Sequence, residues 1–190
     1  MAPHHFPHPI DGVRFSALGT HHAKVLLAFE NANREWFRRT GEDREPDFYS
    51  HKGVRNHIAE LGEDHRHGRI WPLLVFSDDG ELVGRANLRR LSRDRRGGSV
   101  GYRIAEHACN QGIATQALTE LMELAYRTQG FRYLTATVNV DNHASQRVLE
   151  KRGFVRVRYL YRQPTLTDAW EYRHSRSVLR HWWWKLVGDN

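Results

Sequence analysis

The alternation of apolar and polar positions opens on a strand: in "DGVRFSAL" Val13, Phe15 and Ala17 alternate with polar neighbours, the period of a half-buried extended chain. From His21 to Arg39 the spacing lengthens to threes and fours. Val25, Leu26, Phe29, Ala32, Trp36 and Phe37 then share one side, which predicts a helix capped by Thr20 and broken near "NAN". After the polar "TGEDREPD" a weaker helical pattern runs roughly from Phe48 to Leu61. "WPLLVF", "SDDG" and "ELVGRANLRRL" read as strand, turn and strand, because Asp-Gly supplies the positive φ of a tight hairpin. "SVGYRIA" adds a third strand, making an antiparallel meander.

The pattern then returns to helical spacing. Ile113 to Gln129 carries a broad apolar stripe that Gly130 is placed to end in the left-handed conformation. "YLTATVNV" is a β-branched strand, and "HASQRVLEKRG" a short helix that Asn142 caps and Gly153 closes. "FVRVRYLYR" and "WEYRHSRSVL", joined by the turn-prone "QPTLTDA", complete the strands. The expected architecture is a mixed α/β (α+β) sheet of about seven strands with helices on both faces. No repeat or low-complexity linker divides the chain, so one domain is expected over residues 1–190, with a flexible leader at 1–10.

Composition narrows the function classes. A length of 190 residues suits one core. No apolar stretch approaches the roughly 20 residues of a membrane helix, and "MAPHHFPHPI" lacks a signal peptide's basic flank and apolar region, so a cytoplasmic protein without membrane partners is expected. Cys109 is the single cysteine, and His4, His5, His8, His21 and His22 have no Cys, Asp or Glu at ligand-like intervals, so no metal is expected. A net charge of +7 and a pI near 9.9 point to an anionic partner: nucleic acid, an acidic protein surface or a phosphorylated cofactor. The densest basic run, "RRLSRDRRGG", fits a solvated hairpin loop or an anion-attracting one.

The chemistry concentrates in "EHACNQGIATQAL", Glu106 to Leu118, a polar bend between a strand and a helix. Amides at a helix N-terminus lack intrahelical partners and carry the positive end of the dipole, so an anion set there meets free donors. Gly112 admits close approach, Asn110 tolerates left-handed φ, and Ala114 keeps the helix start open. The three-glycine dinucleotide fingerprint and the Lys-Ser/Thr of a Walker loop are both absent, and the residues alone also fit a plain structural corner.

"GYRIAEHACNQGIATQAL" followed by "NVDNHASQRVLEKRGF" resembles the acyl-coenzyme A site of the GNAT N-acetyltransferases. "ENANREWF", "VGRANL" and "SQRVLEKRGF" resemble the RimJ/RimL branch, and the element order follows the family over essentially the whole chain. The resemblance implies the GNAT fold and acetyl-CoA as co-substrate. Asn110, Gln111, Gly112, Ile113, Ala114 and Thr115 would then form the pyrophosphate loop, and Ile104 and Ala105 the strand that pairs with pantetheine, with an oxyanion contact where that strand bulges. Asn142 would contact the pantetheine arm and Ser145 would protonate the leaving thiolate, although Ser145 also fits a purely structural place at the helix start. Glu106 would act as the base, directly or through water; an exposed loop carboxylate is the alternative. Glu30, Asn31, Arg34 and Trp170 would shape the acceptor groove, Glu30 by attracting a cationic amine; an ordinary helix-surface carboxylate is the alternative for Glu30. Three positions depart from the pattern: Cys109 stands where the signature has Gln or Arg, Asn110 where Gly is common, and Tyr172 where the last hairpin often has Asp.

The acceptor this implies is a protein or peptide N-terminal α-amine. Such an amine has a pKa of roughly 8, so about a tenth is already neutral at pH 7. The alternatives are a small amine, an aminoacyl compound or an antibiotic, or a catalytically silent module that binds RNA or the ribosome through Arg89, Arg90, Arg93, Arg95 and Arg96. No His–Asp pair is legible around Cys109, which disfavours an acyl-cysteine route. Adjacent tryptophans in the tail at 181–190 cannot all face one core, so the tail is expected to pack across the domain or into a dimer, the protein being a monomer or homodimer.

Overall fold

The computed structural model describes residues 12–40, 44–91, 96–161 and 168–176. The leader at 1–10, Arg93, Arg95 and the tail at 181–190 lie outside the described residues.

Strands β1 (Val13–Ala17), β2 (Ile70–Ser77), β3 (Leu82–Arg90), β4 (Gly97–Ile104), β5 (Tyr133–Asn139), β6 (Val155–Leu160) and β7 (Ala169–Ser175) form one sheet in the order β1-β2-β3-β4-β5-β7-β6. Every pairing is antiparallel except β4 with β5. These two are joined by helix α4 (Ile113–Glu123), the crossover that parallel neighbours require. Gly97 and Gly98 make their approach possible: a Cβ on Gly97 would lie 2.2 Å from the Tyr133 ring, and one on Gly98 2.7 Å from Phe131.

Helices α1 (Ala23–Ala32), α2 (Arg34–Thr40) and α3 (His51–Arg66) come from the first third of the chain, and α5 (His143–Lys151) follows β5. Along β3 and β4 the pairs Ala86↔Tyr102 and Leu88↔Val100 alternate with Arg85↔Arg103 and Asn87↔Gly101. The first set therefore shares one face and the second the other. Arg85 meets Glu30 of α1, which places α1 on the second face.

Several elements differ in detail from the sequence pattern. Thr20 does not cap a helix; it opens a 3-10 turn, Thr20–His22, in which the Gly19 amide donates to His22 Nδ1 at 3.1 Å. The break expected near "NAN" falls at Asn33, whose φ of −107° and ψ of 12° leave the α region. Helix α3 starts later and runs longer than expected, because Pro46–Tyr49 forms a separate 3-10 turn and the Ser50 hydroxyl then accepts the Gly53 amide at 3.0 Å. After α4 a π-helical segment, Leu124–Thr128, precedes Gly130 at φ +68°.

Candidate functional site

Strands β4 and β5 pair at three positions, Gly97↔Tyr133 to Ser99↔Thr135, and then part, although β4 continues to Ile104 and β5 to Asn139. The gap opens into a cleft of about 690 Å³ lined by both strands, by the bend before α4 and by α5. Ala105 N–H donates to Val83 O on β3 at 2.9 Å. By antiparallel alternation the backbone groups of Tyr102 and Ile104 point the other way, into the gap. The register of β3 with β4 is unbroken through Ile104, so the bulge expected there is absent. The parting of β4 from β5 is what exposes these amides. The Ile104 carbonyl accepts the Trp36 indole N–H at 3.2 Å, leaving the Ile104 N–H directed at the gap.

The bend closes the end of this gap. A 3-10 turn, Glu106–Ala108, leads to Asn110 at φ +62° and Gly112 at φ +82°, Asn110 being the single non-glycine with positive φ among the described residues. No side chain caps α4, whose first helical bond runs from the Gln116 amide to Gly112 O at 3.0 Å. The amides of Ile113, Ala114 and Thr115 therefore lie ahead of the hydrogen-bonded turns, where an anion meets unpaired donors and the positive end of the dipole. A Cβ on Gly112 would meet nothing within 4 Å. Gln111 braces the turn by donating from Nε2 to His107 O at 2.9 Å.

Asn142 and Ser145 meet the cleft from α5. Asn142 Oδ1 caps the helix by accepting the Ser145 amide at 3.0 Å. The phenol of Tyr102, which the sequence reading missed, lines the same cleft, and its buried oxygen has no hydrogen-bond partner. Burial pushes that phenol up to about 12. The signal for Tyr102 was its place between Val100 and Ile104 on the core-facing alternation of β4. Cys109 lines the cleft, but burial, then the Glu106 carboxylate, push its thiol up, so the thiolate an acyl-cysteine route needs is disfavoured.

Eight expected site residues lie outside the cleft lining: Ala105, Gln111 and Ile113 beside it in the strand end and bend, and Glu106, Glu30, Asn31, Arg34 and Trp170. The Glu106 side chain is 59% exposed and meets Arg39 at 3.4 Å, while its amide donates to Asn33 Oδ1 at 3.1 Å. Asn33 thus ties the break between α1 and α2 to the end of β4, a second role the sequence reading missed. Asn31 and Arg34 are exposed, with the Arg34 guanidinium 4.1 Å over the Tyr49 ring. Trp170 packs edge-on to Tyr159 and under Arg156.

Glu30 neither faces an amine nor lies on the helix surface. It is fully buried, is hydrogen-bonded by Arg85, and has Arg44 at 3.8 Å and Arg103 at 3.9 Å. Arg85 also donates to His57 Nε2 at 3.0 Å. Burial and then the arginines, Arg85 foremost, push His57 down to about 3, so it stays neutral and accepts this bond. Arg44 falls to about 10, through burial and then Arg85, and remains charged at neutral pH. Of the basic run, Arg90 lies 5.4 and 5.6 Å over the Trp71 and Phe131 rings. It is therefore packed against aromatic side chains.

The lowered His57 sets a pH dependence. In the unfolded chain its imidazole binds a proton near the usual 6.5, but in the folded protein only near 3, so its contribution to stability is full above about 6.5 and falls as pH drops. Burial lowers His174 and, with help from His21, His22, in the same direction. The urea midpoint is expected to fall between about pH 7.5 and about pH 5, and His57→Gln to flatten part of that slope. An identical slope in the variant would mean that His57 titrates normally.

Among the described residues no group of three or more His, Cys, Asp or Glu is placed to hold a metal, and no helix is long and apolar enough to cross a membrane.

Comparison with known proteins gives a consistent set of matches. A family model described as an acetyltransferase (GNAT) domain matches residues 13–155. The probable N-acetyltransferase YjcK of Bacillus subtilis (strain 168) is 25% identical over 83% of this chain and 88% of its own. The ribosomal-protein-serine acetyltransferase of Escherichia coli (strain K12) is 25% identical over 85% of this chain and 89% of its own. Among solved structures, Mycobacterium smegmatis RimJ in complex with CoA-disulfide superposes with a TM-score of 0.79 at 20% identity, covering 88% of this chain and 83% of that one.

Proposed function

Because the chain belongs to the acetyltransferase (GNAT) family, we propose that it transfers an acetyl group directly from acetyl-CoA to a primary amine, the α-amine of a protein or peptide N-terminus. The observation that carries this reading is the parting of β4 from β5 beside the uncapped start of α4. Bound acetyl-CoA would supply an activated thioester. The residues present fit such a group. Asn110 and Gly112 hold the bend at positive φ, the amides of Ile113, Ala114 and Thr115 offer donors to a pyrophosphate, and space is open around Gly112. Arg147 and Lys151 add positive charge on the α5 side of the cleft. Backbone groups of Tyr102 are directed to pair with the pantetheine amides, and Asn142 stands across the gap.

The Ile104 N–H polarises the carbonyl, an oxyanion contact made by the backbone. The Ser145 hydroxyl donates the proton that the leaving thiolate needs, and the Tyr102 phenol lines the same cleft. Trp36 holds the Ile104 carbonyl and so fixes the strand end. Glu106 accepts the amine proton through water, since its carboxylate lies beyond the cleft lining and beside Arg39. The protein acceptor is supported by the relative from Escherichia coli, whose name specifies a ribosomal-protein serine.

Acetyl-CoA titration by calorimetry, followed by thiol release with N-terminal peptides and with small amines, tests the proposal. Tight binding with release on peptides supports it; release on small amines alone would move the acceptor to metabolites or antibiotics. Glu106→Gln is expected to slow peptide acetylation about tenfold at pH 7, and the deficit should shrink as pH passes the amine's pKa of about 8, where less base is needed. A deficit that stays constant with rising pH would remove Glu106 from proton transfer.

A further inference from the structure

The wall of the cleft formed by β3, β4 and the segment before α3 has a charge pattern that the transfer chemistry does not use. Arg85 and Arg103 are direct cross-strand partners on one face of the sheet, and Arg44 joins them, so three guanidinium groups stand within 4 Å of the Glu30 carboxylate. The three are not equivalent. Arg85 is buried to 4% exposure and committed to Glu30 and His57. Arg44 and Arg103 keep 26% and 25% of their side chains exposed, line the cleft, and stand 3.8 and 3.9 Å from the second Glu30 oxygen. Their heads are steadied by aromatic faces, Arg44 over Phe48 at 4.2 Å and Arg103 over Phe37 at 5.2 Å.

A second observation lies beside them. Asn87, on the same face and directly across from Gly101, lines the cleft, yet its side-chain oxygen is buried and has no hydrogen-bond partner. A buried acceptor left unpaired costs free energy unless a ligand supplies the donor. Two partly exposed cations and an unpaired acceptor on one wall together match a molecule with a negative group close to an N–H-bearing one.

We propose that the acceptor carries an anionic group, a carboxylate or phosphate, next to its reacting amine, and that Arg44 and Arg103 bind that group while Asn87 accepts a hydrogen bond from the amine. The proposal rests on the acetyl-transfer reading above and adds the charge class of the acceptor to it. Guanidinium suits the task because its donors match the geometry of both oxyanions. The anion has two possible sources: an acidic side chain in the first residues of a peptide N-terminus, or the acid group of a small amino compound.

The test begins with acetyl-CoA binding to the wild-type protein by calorimetry. Transfer rates follow, for peptides beginning Ser-Asp-Glu, Ser-Ala-Gln and Ser-Lys-Arg, and for an amino acid and an aminoalkyl phosphate against their neutral amides. The acidic member of a series is expected to exceed its neutral counterpart in kcat/KM by about tenfold or more, with an advantage that shrinks in high salt. Preference within peptides identifies an acidic N-terminus, and preference within the small compounds identifies the other source. Arg103→Gln and Arg44→Gln should each erase the preference while leaving the acetyl-CoA Kd unchanged. Equal rates on acidic and neutral acceptors by a protein that binds acetyl-CoA would overturn the inference, and so would variants that lose acetyl-CoA affinity but keep their selectivity. Absence of acetyl-CoA binding sinks the underlying transfer reading at the first step. The wild-type preference and its salt dependence decide the matter even where a variant fails to fold.

Discussion

Gly112→Asp is expected to fold normally and to bind acetyl-CoA about a hundredfold more weakly. The two halves of this expectation have separate causes. Gly112 sits at φ +82°, a conformation that Asp tolerates better than most residues, and a Cβ there would meet nothing within 4 Å. Its carboxylate would also lie at the start of α4, which no side chain caps, where negative charge complements the dipole. The backbone strain of a side chain at positive φ and the gain at the dipole oppose each other, so thermal stability should fall only slightly. A pyrophosphate on the amides of Ile113 to Thr115 would face that carboxylate at close range. At an effective dielectric near 20, repulsion over several ångströms amounts to roughly 3 kcal/mol, about two decades in Kd. Calorimetry with acetyl-CoA and a melting curve on the same preparation check both halves. An unchanged Kd would place the phosphates away from the bend, and a collapsed melting temperature would mean that Gly112 serves the fold.

The strands, their meander order and the last helix were legible because each depends on local periodicity and local caps. The strand at Val13–Ala17, the Asp-Gly hairpin and the Asn142 cap all appear where the sequence pattern places them, although Ala17 at the strand end is exposed. The parting of β4 from β5 was not legible. It depends on how far two strands distant in sequence stay paired, and nothing in "SVGYRIA" or "YLTATVNV" alone marks the third pair as the last. The family resemblance supplied an expectation for the site in its place, and correctly named the GNAT fold.

Charged residues misled the local reading for a physical reason. Glu on a helix is ordinarily solvated, so Glu30 was assigned to the surface or to an incoming amine. Yet Leu26, Glu30, Asn33 and Phe37 fall at steps of four, three and four, one buried stripe running from α1 into α2. Two polar residues on an otherwise apolar stripe were the available signal for buried partners. In β3, Arg85 stands among buried neighbours on both sides in sequence, which marks it as a cation committed to an internal carboxylate.

The largest stability effect is therefore expected at Glu30. Glu30→Ala removes the one carboxylate found at hydrogen-bonding or ion-pair distance from Arg85, Arg44 and Arg103 among the described residues. Arg85, 4% exposed, would keep its charge with His57 as its remaining described partner. Breaking a buried ion pair from one side costs about 3–5 kcal/mol, and mutual repulsion of the guanidinium groups places this variant at the upper end. Arg85→Met should cost less, because the Glu30 carboxylate would still have Arg44 and Arg103 nearby, and the methionine fills much of the same volume. Urea unfolding of the two variants against wild type measures this asymmetry. Added sulfate should restore stability to Glu30→Ala more than to wild type, since an anion can take the place of the Glu30 carboxylate among the three arginines. A loss below about 1 kcal/mol in Glu30→Ala would mean that the cluster is solvated, with Glu30 contributing no more than a surface pair.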